Sequence, residues 1–260
     1  MDPEYYKMSR MKKMVNSLII AFSMYSRIPM PRVEWREESM KYVMCFFPLI
    51  GVIIGGVIYF AGKFILAHGI STLMFAAVMS VIPIVITGGI HMDGFIDTAD
   101  ALSSCGNKEE KLAIMKDPHI GAFAIIWTAV YFVLCLGLWS AAEISDLPAI
   151  AVGYALSRTM SGISIVCFKT AKNTGLAHMF SDAAQKKRVI AALVIWLVVE
   201  AAGLLIIGIG YAAAEAAAAV AVFICHYLVC RRHFGGITGD LAGCFLQVCE
   251  LAILAAAVII

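Results

Sequence analysis

The sequence predicts an all-α, polytopic integral membrane bundle, with about seven transmembrane helices and an N-terminal interfacial or re-entrant helix in a single domain, residues 1–260. Three observations predict it. Hydrophobic residues make up 62% of the chain and charged residues 15%, whereas soluble domains are nearer half apolar and a quarter charged. The apolar residues form runs of about 20, enough to cross the hydrocarbon core. Positive charges collect between alternate runs. A soluble enzyme, a disordered chain and a secreted disulfide scaffold are therefore excluded.

Seven apolar runs are predicted to span the bilayer as helices, because they show no alternation of period two. They cover residues 42–66, 71–90, 120–142, 148–168, 189–209, 212–230 and 241–260. An eighth apolar stretch, residues 15–30, is short, contains Arg27 and is ended by prolines. We therefore predict that this stretch lies in the membrane interface or re-enters the membrane.

The positions of lysine and arginine predict the orientation of the bundle. With a cytoplasmic N-terminus and seven alternating spans, the cytoplasmic segments are residues 1–41, 91–119, 169–188 and 231–240. These segments hold all but two of the 20 Lys and Arg residues. Such asymmetry is the positive-inside pattern, so we expect the chemistry of this protein to take place at the cytoplasmic face. The formal net charge of +2 gives no reason to expect nucleic acid as a partner, and homo-oligomerisation stays open.

The densest polar feature, residues 91–100, follows the second predicted span. If it is helical, Asp93, Asp97 and Asp100 stand at i, i+4 and i+7 and share one face. Like charges stacked in this way repel one another unless a cation neutralises them, and oxygen-only ligands favour Mg²⁺, Mn²⁺ or Ca²⁺. The spacing therefore predicts a divalent-metal site. The alternative is a solvated acidic helix end beside the membrane.

A glycine-rich loop, residues 235–240, follows Arg231 and Arg232 and leads into the last predicted span. Glycines let a backbone approach a ligand closely, and a helix N-terminus favours an anion. This pattern predicts phosphate binding. The alternatives are an ordinary inter-helix turn and, for Asp240, a helix N-cap.

Arg158 lies in the middle of the fourth predicted span. An unpaired charge at that depth is costly, so a partner is expected. Glu200 and Glu250 in later spans are the candidates, and Glu250 should face the protein interior. Arg158 is predicted either to contact an anionic substrate inside the bundle or to form a structural ion pair.

Two cytoplasmic loops carry further polar residues. Lys116, Asp117 and His119 close the first loop, where His119 is either a base or a helix-end residue. Asn173 lies in the loop 169–188, whose positive charge the topology already requires.

Together these segments resemble the cobalamin synthase family, also called adenosylcobinamide-GDP ribazoletransferase. The resemblance covers nearly the whole chain in order, and the acidic segment and the glycine-rich loop are its most specific parts. Its motifs are Tyr25-Ser26-Arg27-Ile28-Pro29, residues 88–100, residues 114–121, Ser157-Arg158, Asn173-Thr174-Gly175-Leu176 and residues 235–240 followed by Glu250. Two stretches depart from the family pattern: residues 101–106 lack the usual glycines, and Ala171-Lys172 stands where Ala-Arg is usual.

The resemblance implies a Mg²⁺-dependent transferase of a bacterial or archaeal plasma membrane. It would join adenosylcobinamide-GDP to α-ribazole, or to its 5′-phosphate, and release GMP. Asp93, Asp97 and Asp100 would be catalytic and hold the metal, and the general base would be one of these carboxylates or His91. The remaining site residues would bind substrate: Lys116, Asp117, His119, Arg158, Asn173, Gly235, Gly236, Thr238, Gly239, Asp240 and Glu250.

The residues alone leave one alternative from another class, a membrane transporter for a cation or small metabolite whose acidic cluster lines the pathway. Secondary transporters often contain inverted repeats. No repeat is visible in this sequence, and its acidic chemistry is concentrated at one predicted face. Both features favour the enzyme.

Overall fold

A computed structural model gives the fold and describes residues 10–171, 179–180 and 184–260. Within these ranges the chain forms eleven α-helices. They are α1 Arg10–Tyr25, α2 Glu37–Met40, α3 Phe47–Ala67, α4 Thr72–Thr87, α5 Ile90–Ser103, α6 Lys108–Ile114, α7 Ala122–Ala141, α8 Leu147–Cys167, α9 Lys186–Ile207, α10 Ile209–Val229 and α11 Gly239–Ile259. A 3₁₀ turn, Val43–Phe46, precedes α3, and a π-helical turn, Cys230–Phe234, follows α10.

The helices confirm the predicted polytopic bundle. Six described segments are long and apolar enough to cross a membrane: Val43–Ala67, Ala122–Ala141, Leu147–Cys167, Lys186–Ile207, Ile209–Phe234 and Gly239–Ile259. A seventh span would be α4 together with α5, a pair bent by 99°. The predicted second span ended at residue 90, which is where this bend lies. The helix α1 covers most of the eighth apolar stretch and is not among the segments that pass this test.

Two glycines one turn apart let α3 and α8 touch backbone to backbone. A Cβ atom added at Gly51 would lie 2.3 Å from the carbonyl oxygen of Tyr154, and one at Gly55 would lie 2.1 Å from that of Ala151. Small residues at this spacing allow the close helix packing that stabilises membrane bundles without a hydrophobic driving force. The contact buries α8 at the centre of the bundle, including every residue from Gly153 to Gly162.

The bend between α4 and α5 is made by two glycines in the left-handed region. Gly88 has φ +66° and Gly89 has φ +81°, values that other residues rarely adopt. Arg27 packs on this bend. Its backbone N–H donates to the carbonyl oxygen of Ile86 at 2.7 Å, and its side chain occupies the space beside Gly88. The segment Arg27-Ile28-Pro29 thus helps fix the direction of α5.

The two ends of the bundle differ. At one end the connections are short, and Asp146 joins two of them by accepting hydrogen bonds from the Tyr211 hydroxyl at 2.7 Å and the Glu143 backbone N–H at 2.8 Å. At the other end the long polar segments contact one another. Tyr42, before α3, donates to the Gln185 side chain at 2.9 Å. The candidate site lies at this second end.

Candidate active site

The helix α5 presents an acidic face outward and an apolar face inward. Its buried residues include Met92, Phe95 and Ala101. Of the three predicted metal ligands, Asp93 is exposed, whereas Asp97 and Asp100 are partly buried. The helical arrangement on which the i, i+4, i+7 spacing depended is therefore present.

A close crossing of α5 and α11 adds a fourth carboxylate to this face. A Cβ atom at Gly94 would lie 2.6 Å from the backbone oxygen of Asp240, and one at Gly243 would lie 3.2 Å from the backbone oxygen of His91. Only glycines allow this approach. It places the glycine-rich loop next to the acidic helix, and we call Asp93, Asp97, Asp100 and Asp240 the acidic face.

The four carboxylates act on one another through their charges. Burial, and after it the charges of Asp93, Asp240 and Asp100, raise the pKa of Asp97 from 3.8 to about 6. Asp97 lies past the Gly88–Gly89 bend, outside the six unbroken spans. Both causes disfavour its ionised form. A cation bound here would relieve this repulsion.

The acidic face fits a divalent cation by its chemistry, although it does not form a closed cage. Within the described residues, no three His, Cys, Asp or Glu side chains converge closely enough to hold a metal ion as they stand. Asp93 and Asp100 are instead about 10 Å apart along α5. An open set of carboxylate oxygens is what Mg²⁺ uses when water and substrate phosphates complete its coordination.

Asp100 also has a structural contact. One of its carboxylate oxygens accepts a hydrogen bond from the backbone N–H of Gly121 at 3.2 Å. A Cβ atom at Gly121 would lie 2.1 Å from the other oxygen, so a side chain there would displace the carboxylate. Because Gly121 precedes α7, this contact ties residues 116–121 to the acidic face.

In that segment, Asp117 holds His119 in place. One Asp117 oxygen accepts hydrogen bonds from the His119 backbone N–H at 2.9 Å and from ring Nδ1 at 2.7 Å. These two bonds, the backbone one first, lower the pKa of Asp117. Lys116, Asp117 and His119 are all exposed.

Lys111 contacts the C-terminal end of α5, a role that the sequence does not predict. It is 7% exposed, and its Nζ donates to the backbone oxygen of Ala101 at 2.9 Å at the C-terminal end of α5. A cation there complements the helix dipole. The available signal was the capping box of Asn107 and Glu110, which starts α6 and places Lys111 in its first turn.

The glycine-rich loop is fixed by an extended segment that follows α8. Ile237 donates its N–H to the backbone oxygen of Lys169 at 2.8 Å and accepts from the N–H of Ala171 at 3.0 Å. A Cβ atom at Gly236 would lie 2.4 Å from the Lys169 backbone oxygen, so a larger residue at this position would force the two segments apart. Asn173 follows two residues after Ala171 and lies outside the described residues.

The N-cap of α11 is Thr238, whose hydroxyl accepts from the N–H of Leu241 at 3.1 Å. The alternative that Asp240 caps the helix is therefore wrong. Asp240 stands in the first turn of α11, where its backbone meets Gly94. Gly235, with φ +75°, turns the chain out of the π-helical turn.

His91 lies behind the acidic face rather than on it. It is 3% exposed, and its ring centroid is 6.0 Å from that of Tyr25 and 5.9 Å from that of Phe47. Its Nε2 has no hydrogen-bond partner among the described residues. The assignment of His91 as a base stays a prediction.

A second set of ionisable residues lies inside the bundle. Arg158 is fully buried, and its Nη1 donates to Glu250 at 2.7 Å and to the Tyr154 backbone oxygen at 2.8 Å. Glu250 is thus the partner of Arg158 and faces the interior as predicted. Glu200 instead accepts from the Thr159 hydroxyl at 2.6 Å. We call Arg158, Glu250, Thr159 and Glu200 the membrane polar belt.

Comparison with known proteins identifies the relatives of this chain. A profile of the family described as cobalamin-5-phosphate synthase matches residues 17–258. The chain is similar to proteins named adenosylcobinamide-GDP ribazoletransferase. It is 47% identical to one from Lachnoclostridium phytofermentans over 92% of both chains, and 36% identical to one from Clostridium botulinum over 93% of this chain and 96% of that one. It is 27% identical to one from Shewanella amazonensis over 95% of this chain and 96% of that one. No solved structure matches it.

Proposed function

The chain belongs to the cobalamin-5-phosphate synthase family, and we propose that it joins adenosylcobinamide-GDP to α-ribazole, or to its 5′-phosphate, releasing GMP. The names of its relatives support this reaction. The structural observation that carries the proposal is the crossing at Gly94, which sets Asp240 of the glycine-rich loop against the acidic helix α5.

In this proposal the acidic face binds the diphosphate of the donor through Mg²⁺, with Asp97 at its centre. The bound ion would neutralise charge on the diphosphate and on the departing GMP. Burial, and after it the charges of the neighbouring aspartates, raise the pKa of Asp97 to about 6. The oxygen-only donors and this repulsion support a cation at this place.

Other described residues would orient the donor. Backbone N–H groups at the start of α11, next to Gly239, would bind phosphate oxygens, and exposed Lys116 would contribute positive charge from the neighbouring loop. Arg158 is paired with Glu250 inside the bundle. Its contribution to substrate binding would therefore be indirect, by fixing the position of the buried polar residues of α8 and α11. Fixed groups of this kind lower the barrier by orienting the reacting atoms before reaction.

Release of GMP by the purified protein tests the proposal. We expect GMP from adenosylcobinamide-GDP only when α-ribazole or its 5′-phosphate is present, and we expect EDTA to abolish it and Mg²⁺ to restore it. No GMP with either acceptor would overturn the reaction. GMP release that continues unchanged in EDTA would overturn the metal alone.

We also propose that the site faces the cytoplasm of a plasma-membrane protein, because the lysines and arginines collect at the site's end of the bundle. Cys105 is exposed at that end, and Ser145 is exposed in a turn at the other. Two single-cysteine variants, one keeping Cys105 and one carrying Ser145→Cys, should react oppositely with an impermeant thiol reagent on intact cells. Labelling at residue 145 alone supports the proposal, and labelling at Cys105 alone inverts it.

A further inference from the structure

The loop between α6 and α7 contains a paired aspartate and histidine that the reaction above does not yet use. Asp117 accepts from both the backbone N–H and the ring Nδ1 of His119, at 2.9 and 2.7 Å. An ionised carboxylate can only accept hydrogen bonds. Nδ1 must therefore carry a proton, which leaves Nε2 as the ring nitrogen that faces away from Asp117.

The position of His119 suits a group that meets a substrate arriving from solvent. Its side chain is 90% exposed, whereas the ring of His91 is enclosed by Tyr25 and Phe47. The hydrogen bond from Gly121 to Asp100 holds the loop against the acidic face. Because His119 is two residues before Gly121, its backbone lies within about 8 Å of that contact.

We infer that His119, held by Asp117, is the general base that deprotonates the ribose hydroxyl of the acceptor; this inference rests on the proposed function. His119 Nε2 takes the hydroxyl proton as the acceptor oxygen bonds to the cobinamide-linked phosphorus. The bond from that phosphorus to the bridging oxygen breaks, and GMP leaves with the electron pair. The imidazolium then gives its proton to water.

The physical reasons are the pairing and the charge around it. A carboxylate on Nδ1–H fixes the tautomer of a catalytic imidazole and stabilises its protonated form. The two bonds from His119 also lower the pKa of Asp117, which keeps it ionised. Charged groups beside the loop include Lys116 on the loop itself and Asp100 on α5, which is joined to the loop through Gly121.

His119→Asn tests the inference, because asparagine can keep a donor toward Asp117 but has no base at the Nε2 position. With both substrates and Mg²⁺ saturating, we expect kcat to fall on the order of 10²-fold or more, with little change in KM. The acidic limb of the pH–rate profile should disappear, and added imidazole should restore part of the rate. His119→Gln should behave in the same way, and it controls for a structural effect that is specific to the asparagine side chain.

Two companion variants separate a catalytic role from a structural one. Asp117→Asn should lower kcat by about tenfold and shift the acidic limb, since it removes the charge that positions the ring. His68→Asn alters an exposed histidine at the opposite end of the bundle and should leave kcat unchanged.

The outcomes distinguish this inference from the function beneath it. If the parent releases GMP and both His119 variants keep the parental kcat and acidic limb, the base is another group and the inference is wrong. If kcat falls but imidazole restores nothing and the acidic limb remains, His119 is structural and the inference is again wrong. If the parent itself releases no GMP with either acceptor, the proposed function fails and this inference fails with it.

Discussion

Two regions of this protein contain several carboxylates, and they differ in how the negative charge is balanced. In the membrane polar belt, Glu250 is paired with Arg158 at 2.7 Å and Glu200 accepts from Thr159 at 2.6 Å. On the acidic face, four aspartates stand near one another, half-open to solvent, and the pKa of Asp97 is raised by its burial and then by the charges of the other three. Each carboxylate of the belt has a donor from the bundle itself, as costly intramembrane charges require. We propose that a cation from outside balances the charge of the acidic face.

This difference indicates what each region is for. A buried ion pair contributes little net stability compared with an apolar pair, but breaking it is costly. Clustered like charges destabilise the fold until a ligand arrives, a cost that proteins bear at functional sites. Changes in the belt should therefore alter folding first, and changes on the acidic face should alter activity first.

The largest expected effect comes from removing Glu250 from the belt. Glu250→Leu leaves the guanidinium of Arg158 buried without a counter-charge, which should cost about 3–5 kcal/mol of stability. Arg158→Leu should cost less, because a buried carboxylate can take up a proton whereas a guanidinium cannot lose one. Thermal unfolding in detergent measures both. The double variant Arg158→Leu/Glu250→Leu should recover part of this lost stability. A double variant less stable than Glu250→Leu would show that the unpaired guanidinium is not the main cause of the destabilisation.

Asp97→Asn on the acidic face should have the opposite effect, a large loss of turnover with little change in stability. It removes one charge and keeps the side-chain size, so we expect turnover to fall on the order of 10²-fold, or about 2.7 kcal/mol. Stability without metal should change by about 0.5 kcal/mol or less, or improve as repulsion is relieved. GMP release and unfolding temperature, measured on one preparation, give both numbers.

Glu143→Gln, in an exposed turn at the opposite end, is the control for this loss of one carboxylate, and it should leave turnover unchanged. Parental turnover and parental Mg²⁺ dependence in Asp97→Asn would contradict the metal-site assignment.

Gly94→Ala tests the helix crossing that brings Asp240 to the acidic face. The added Cβ would lie 2.6 Å from a backbone oxygen, which cannot yield as a flexible side chain would. Overpacking of this kind costs about 1–3 kcal/mol, and we expect turnover to fall by about tenfold as Asp240 is displaced. Gly137→Ala in α7, where nothing lies within 4 Å, is the matched control. Equal behaviour of the two variants would show that the crossing does not position the site.

Hydropathy and charge bias predicted the spans because both are properties of local sequence. Lipid exposure demands long apolar helices wherever they end up packing. The i, i+4, i+7 aspartates were likewise visible, since helical spacing alone puts them on one face. The choice of Glu250 over Glu200 for Arg158 was not visible. The helices that carry both glutamates contact α8, and the partner depends on which face of α8 each one meets: Arg158 meets Glu250, whereas Thr159 meets Glu200.

The surroundings of some residues depend on tertiary contacts that the sequence does not show. His91, whose assignment as a base stays a prediction, is buried beside Tyr25 and Phe47. Lys111 looked like one of many loop charges, yet it ends α5. Asp240 looked like a helix cap, although Thr238 two residues earlier has the cap geometry. The burial of His91 and the contact of Lys111 with α5 depend on packing between helices, whereas the cap of α11 is a local contact.

The smallest expected effect is on the pH dependence of metal binding, and it distinguishes the two regions without a change of fold. The pKa of Asp97 is raised from 3.8 to about 6, so between these values the folded protein holds a proton that the unfolded chain has lost. Without metal, the contribution of Asp97 to stability therefore falls as pH rises through about 4 to 6.

Below pH 6 the metal must also displace that proton, so half-saturating Mg²⁺ should be about fourfold higher at pH 5.5 than at pH 7.5. Titrating Mg²⁺ at each pH separates this effect from changes in the maximal rate. Asp97→Asn should lose the dependence, whereas Arg158→Leu, if it folds, should keep it. A dependence that survives in Asp97→Asn would place the titrating group elsewhere and leave the acidic face without its central carboxylate.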